Sequence, residues 1–176
     1  MTFTPFPELQ TTRLLLRQVT VKDSAMVLYL RSDKAINKYI QRPPERQTRT
    51  IADAVKHITM LTDQIESNTS ITWGITLQNT TEIIGTICLW NFSKGHTIAE
   101  VGYDLTPEQH NKGLMSEALQ AVINFGFNQL PCITIVAFTQ FKNANSIKLL
   151  ENNGFGLNKT LKDPDNSNNL IFELFA

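Results

Sequence analysis

The sequence predicts a mixed α/β domain: a mostly antiparallel central sheet of about seven strands, flanked by about four helices. Short runs rich in β-branched and aromatic residues recur along the chain, each bounded by turn formers. Between them lie four segments with apolar residues at helical spacing. The resulting order is one strand, two helices, three strands, a helix, a strand, a helix and two strands, which makes the middle largely antiparallel. At 176 residues, with 41% hydrophobic and 18% charged, the chain reads as one domain over residues 1–176.

The first strand is Leu14–Val19. A helix over Lys22–Arg31 follows, with Thr20 as its cap. After the Pro43-Pro44 loop, Ile51, Val55, Ile58, Leu61 and Ile65 predict a second helix over Arg49–Ser67. Thr72–Leu77, Ile83–Trp90 and Ile98–Leu105 are the three middle strands. Leu119, Val122, Ile123 and Phe127 share one side of a helix over Gly113–Phe127. Cys132–Phe138 is the next strand, and Ala144–Asn153 the last helix, stopped by Gly154. Phe155–Leu161 and Leu170–Phe175 flank the polar tract Lys162–Asn169 and read as a terminal hairpin.

Composition narrows the function. Sixteen Lys and Arg against sixteen Asp and Glu leave no basic excess, which argues against a nucleic-acid partner. No apolar run approaches the roughly 18 residues of a membrane span. Neither a signal nor a transit peptide is readable at the start, so the expected location is the reduced cytoplasm. Cys88 and Cys132 are too few for a disulfide framework and read as small buried hydrophobes. They and the three histidines show no metal-ligand spacing, so no metal is expected. His57 reads as a solvated helix residue, and Trp73 and Trp90 as core or cleft-wall aromatics.

Chemistry concentrates in one strand–loop–helix stretch, from Ile98 to Ala118. A polar loop entering a helix leaves backbone N–H groups unpaired, and these with the helix dipole favour phosphate. Gly113 permits close approach of an anion, with Lys112 beside it. The same pattern also describes a plain turn. Neither a Walker loop nor a dinucleotide fingerprint is present, and no Gly-x-Ser-x-Gly frame suggests a hydrolase.

Three separated matches give this chain a specific resemblance. The opening Thr12-Arg-Leu-Leu-Leu-Arg17 is followed by Val21-Lys-Asp-Ser-Ala25. The centre reads Glu100-Val-Gly-Tyr103, then Asn111-Lys-Gly-Leu-Met-Ser-Glu-Ala-Leu119. The end reads Asn143-Ala-Asn-Ser146, with Gly154-Phe155 beyond it. Together these resemble the GNAT superfamily of acyl-CoA N-acyltransferases, in the branch of the ribosomal-protein acetyltransferases RimJ and RimL. Two departures stand out. His110 occupies the place of the usual Gln or Arg of the phosphate loop, and Leu150 that of a Tyr which acts as general acid in many members.

The resemblance implies acetyl transfer from acetyl-CoA to an amine by direct attack. Pyrophosphate would rest on the backbone of His110, Asn111, Lys112, Gly113, Leu114, Met115 and Ser116, with Tyr103 and Leu105 beside the pantetheine arm. Leu105 N–H is the implied oxyanion donor, Asn143 a pantetheine contact and Ser146 the candidate acid. Asn143 also suits an N-cap.

Glu100 is the candidate base, directly or through water. Strand alternation places Glu100 and Asp104 on one face across Gly102, a pattern that a merely solvated face also produces, and a bulge in this strand would change it. Deprotonating a lysine at pH 7 costs about 4.6 kcal/mol, but an α-amine only about 1. Without an obvious strong base, the expected acceptor is an α-amine, such as a protein N-terminus. The alternatives are a small-molecule amine, or an idle acyl-CoA-binding module suggested by the absent Tyr. A homodimer is compatible with the branch. The loop Lys38–Arg49, with Arg42, Arg46 and Arg49, either is simply solvated or borders the acceptor groove and favours an acidic acceptor.

Overall fold

A computed structural model describes all residues, 1–176. Eight strands form one sheet: β1 (Leu9–Gln10), β2 (Leu14–Gln18), β3 (Ile71–Leu77), β4 (Ile83–Trp90), β5 (Ile98–Leu105), β6 (Thr134–Gln140), β7 (Gly156–Asn158) and β8 (Asn169–Phe175). The spatial order is β1-β2-β3-β4-β5-β6-β8-β7. Every neighbouring pair is antiparallel except β5 and β6. The helices are α1 (Ser24–Ser32), α2 (Ile51–Glu66), α3 (Leu114–Gln129) and α4 (Ala144–Asn152). Predicted and observed elements agree in kind and order, with two-residue β1 added at the edge. The predicted strand Cys132–Phe138 begins later, at Thr134, and the hairpin's first arm shortens to Gly156–Asn158.

The sheet is packed on both faces. Against one lie α3 and α4, around Leu14, Leu16, Trp73, Ile87, Leu89, Leu119, Val122 and Leu150. Against the other lie α1 and α2, where Val27, Leu30, Ala54 and Ile58 meet Val19 and Ile83. The entry to α2 is a reciprocal cap. Thr50 Oγ1 accepts from Asp53 N–H at 3.1 Å, while Asp53 Oδ2 accepts from Thr50 N–H at 2.9 Å. Arg17 grips Asp23 through two bonds of 2.7 and 2.9 Å, tying the start of α1 to β2.

Two features of the sheet create a cleft. β5 pairs with β6 only from Ile98 to Glu100, opposite Thr134 to Val136, although β5 continues to Leu105 and β6 to Gln140. Beyond Glu100 the strands fork and leave the edge of β5 open. On its other side β5 pairs with β4 without a register shift from Glu100 to Leu105. The sheet's register shift lies in the β3–β4 pair, at Ile75/Thr76, so the alternation of β5 is unbroken.

Gly85 allows the close β4–β5 contact. A Cβ there would lie 2.3 Å from Asp104 O and 3.0 Å from Leu105 Cα, both backbone atoms that cannot yield cheaply. Gly85→Ala is expected to cost about 2–3 kcal/mol, read as a lower urea midpoint, and to displace the functional end of β5.

Candidate active site

The fork opens between β5 and α4, and the side chains of one strand serve its two walls. Tyr103 packs on the α3–α4 side of β5 and its hydroxyl lies 2.8 Å from Ser146 Oγ in the first turn of α4. Burial pushes the Tyr103 phenol up to about 12, with the Ser146 bond opposing the rise, so Tyr103 keeps its proton. Asn143 caps α4 by accepting from Ser146 N–H at 3.2 Å. The cap therefore fixes the helix turn that presents Ser146. Leu150, at the place of the missing Tyr, is fully buried.

Thr106 N–H donates to Ile84 O at 2.9 Å, on the β4 side. Alternation then turns the peptide groups of Leu105 toward the open edge. There Leu105 O accepts from His110 Nε2 at 3.0 Å, and the carbonyl partner sets the ring tautomer. His110 is thus more than a replacement for a Gln or Arg: its ring ties the end of β5 to the loop that follows.

That loop is shaped for an anion. Asn111 and Gly113 both lie in the left-handed region, at φ 60° and 74°, and Gly113 immediately precedes α3. The side chains of Leu114 and Met115 are buried, and at the first turn of α3 their backbone N–H groups have no intrahelical partner. Lys112 Nζ donates to Gln109 at 3.1 Å. The Ser116 hydroxyl donates to Asn153 Oδ1 at 3.0 Å and links α3 to the end of α4. With its hydroxyl committed to that link, the backbone N–H of Ser116 is what remains for the expected pyrophosphate contact.

Sequence reasoning missed the clamp behind this loop. Arg13 Nη1 donates to Lys112 O at 2.9 Å, and Arg13 Nε meets Glu117 Oε2 at 2.6 Å. Glu117 Oε1 accepts from Thr11 Oγ1 at 2.6 Å and from Arg13 N–H at 2.8 Å. The only sequence signal was that Arg13 and Glu117 each fall within a matched segment.

The other wall of the cleft is polar. Thr86, Cys88 and Trp90 of β4 share a sheet face with Glu100, Gly102 and Asp104 of β5. Gly102 opens the floor, since a Cβ there would come within 3.2 Å of Cys88 Sγ and 3.8 Å of Trp90 Nε1. Burial raises Glu100 to about 7, against the opposing effect of a 3.3 Å bond from Asn91, and Asp163 adds to the rise. The polar tract before β8 thus does more than turn the chain, because it brings Asp163 near this carboxyl. Asp104 accepts from Thr86 N–H and Thr86 Oγ1, both at 2.9 Å, and burial raises it too. Cys88 is half-buried, not a core residue, and burial pushes its thiol up to about 12. His57 is likewise half-buried, not solvated. Burial, then the charges of Arg31, Arg42 and Arg46, hold it down to about 3 and therefore neutral.

The family model for the acetyltransferase (GNAT) domain matches residues 13–156. A curated N-acetyltransferase of Bacillus subtilis, YoaA, is 32% identical over 150 residues, covering 85% of this chain and 83% of its own. Among solved structures, RimL, the ribosomal L7/L12 α-N-protein acetyltransferase in complex with coenzyme A, superposes with a TM-score of 0.83 at 19% identity. It covers 96% of this chain and 98% of its own. An acetyltransferase from Salmonella typhimurium that modifies the N-terminal serine of the same ribosomal protein gives 0.81 at 18% identity, over 97% and 99%. These two share the fold. With a family match spanning the strand–loop–helix, the fork and α4, the chain belongs to the GNAT acetyltransferases, enzymes that draw their acetyl group from acetyl-CoA.

Proposed function

We infer that the enzyme acetylates an α-amine, as at the N-terminus of a protein or peptide, by direct attack with no acetylated enzyme residue. The observation that carries this reading is Glu100, a carboxyl raised to about 7 on the floor of the groove, with no stronger base on that wall. A base of that strength removes a proton from an α-ammonium near 7.8 at a cost of about 1 kcal/mol. From a lysine near 10.4 the same transfer costs about 4.6 kcal/mol.

Acetyl-CoA supplies a thioester, whose carbon accepts the amine and whose sulfur departs. The loop from His110 to Ser116 suits its pyrophosphate, because two left-handed residues turn successive N–H groups outward at the start of a 16-residue helix. Glu100 takes the proton from the ammonium through bridging water, because five strand residues, roughly 16 Å, separate it from Leu105. Leu105 N–H, on the open edge of β5, hydrogen-bonds the oxygen as it gains charge, an effect worth about 3 kcal/mol for one well-placed donor. Tyr103 and Ser146 share a hydrogen bond in which either hydroxyl can donate. Ser146 passes its proton to the departing sulfur while taking one from Tyr103, and the second proton lost by the acetylated nitrogen restores the pair. Asn143 holds the turn that carries Ser146.

Release of free CoA thiol from a peptide with a free N-terminus and from an Nα-blocked, lysine-containing peptide tests the acceptor class. Turnover at least tenfold faster on the free N-terminus is expected. Faster turnover on the blocked peptide would overturn the reading.

A further inference from the structure

Most of the loop after α1 is exposed, but Arg42 within it and Arg31 at the end of α1 are not. Arg31 and Arg42 are half-buried and line a cavity of about 340 Å³ together with Asn37, Ile40, Gln41 and Gln47. Neither has an acidic partner, since the two ion pairs of the protein are Arg13–Glu117 and Arg17–Asp23. Arg31 is held in place by Thr48 Oγ1 and Arg46 O, both at 2.8 Å. Arg42 makes a single side-chain bond, from Nη1 to Asn37 Oδ1, and its remaining donors are free. A guanidinium is costly to desolvate without an anion. Two side by side without one are arranged for a ligand that brings it.

Their position relates them to the reacting groups. The Asp104 charge acts on both guanidiniums without forming an ion pair, and Asp104 is on the same β5 face as Glu100. Asp104, on the acidic face of β5, thus lies within electrostatic range of the cationic pair Arg31 and Arg42.

We propose that Arg31 and Arg42 form an anion subsite of the acceptor groove, which takes a carboxylate carried by the amine-bearing acceptor. The selectivity rests on the α-amine reading above. The planar forks suit a carboxylate. Arg42 confers the selectivity and Arg31 positions the subsite.

The test compares peptides with a free N-terminal Ser and Glu, Gln or Lys at positions two to four, assayed by CoA release. Wild type should favour Glu over Gln by at least tenfold in kcat/KM, and Lys should be the poorest. Arg42→Gln should remove the Glu preference while leaving the Gln peptide within threefold and the affinity for acetyl-CoA unchanged. Arg42→Glu should reverse the order to favour Lys. Calorimetric binding of the Nα-acetylated Glu and Gln peptides gives a second readout that needs no turnover, and the same ranking is expected. Far-UV circular dichroism checks that both variants fold. Equal turnover of the three peptides by wild type overturns the subsite and leaves the α-amine reading intact, as does equal binding of the two acetylated peptides. If peptides are idle but small amines bearing a carboxylate react in an Arg42-dependent way, the peptide reading fails and the subsite stands. Loss of acetyl-CoA affinity in Arg42→Gln overturns the assignment to the acceptor.

Discussion

Gly113→Asp is expected to weaken acetyl-CoA binding by at least a hundredfold while the protein stays folded. The loss corresponds to about 2.7 kcal/mol or more. Gly113 sits at φ 74° immediately before α3, where the unpaired N–H groups and the positive end of the helix dipole meet the expected pyrophosphate. A carboxylate at that point occupies the anion's place and repels it. The fold tolerates the change better than an average left-handed site. Asp is among the residues that adopt this conformation most readily, and it suits a helix start. Space is also available, because a Cβ there would stand 3.5 Å from Arg13 Nη2, an ordinary contact. Gly113→Asn separates charge from shape. It is nearly isosteric with Asp but neutral, and should lose no more than tenfold. Calorimetric titration of the three proteins with acetyl-CoA decides the matter. An Asp variant that binds within threefold of wild type would remove the pyrophosphate from this loop.

The parts of this site that were legible in the sequence are those set by local chain geometry. Alternation in β5 separated Tyr103 from Glu100 and Asp104, and the polar loop before an apolar-periodic helix marked the turn at Gly113 where α3 starts. Asn143 could be read as a cap because a cap acts over three residues. The missed features depend on contacts between distant segments. The Arg13–Glu117 clamp joins residues 104 apart. The raised Glu100 depends on burial within the groove and on Asp163, which only the folded β8 connection brings near. His57 looked solvated because charge and a polar neighbour are the only local signals, whereas burial and the charges of Arg31, Arg42 and Arg46, set by the fold, hold it neutral. Strand β1 escaped notice because two residues carry no periodicity. The fork itself has no sequence signature: β5 and β6 each read as a continuous strand, and only their divergence after Glu100 makes a site of the edge.

Replacing Glu100 with Gln should make the enzyme slower and more stable, a pair of effects that a merely structural carboxyl would not produce. Loss of a positioned base costs at least about a hundredfold in kcat. In wild type the base is consumed by protonation, so kcat should fall tenfold per pH unit below about 7. In the Gln variant that limb should move up to the titration of the amine itself, near 7.8. Stability moves the other way. Because the Glu100 carboxyl is raised, the folded state holds more protons than the unfolded state between the ordinary carboxyl range and about 7. Stability therefore declines as pH climbs through that window and stays lower above it. Glu100→Gln removes this cost, so the variant should gain on the order of 1–2 kcal/mol at pH 8, solvent screening of a half-buried group included. The gain should shrink to nothing near pH 4, where both states of the wild-type carboxyl are protonated. Urea unfolding at the two pH values and a pH profile of kcat measure both effects. A slower variant with an unmoved limb and no stability gain at pH 8 would show that Glu100 shapes the groove without accepting the proton. The trade between stability and activity is what a desolvated base requires: the burial that destabilises the fold at pH 8 raises the carboxyl to a value matched to an α-amine.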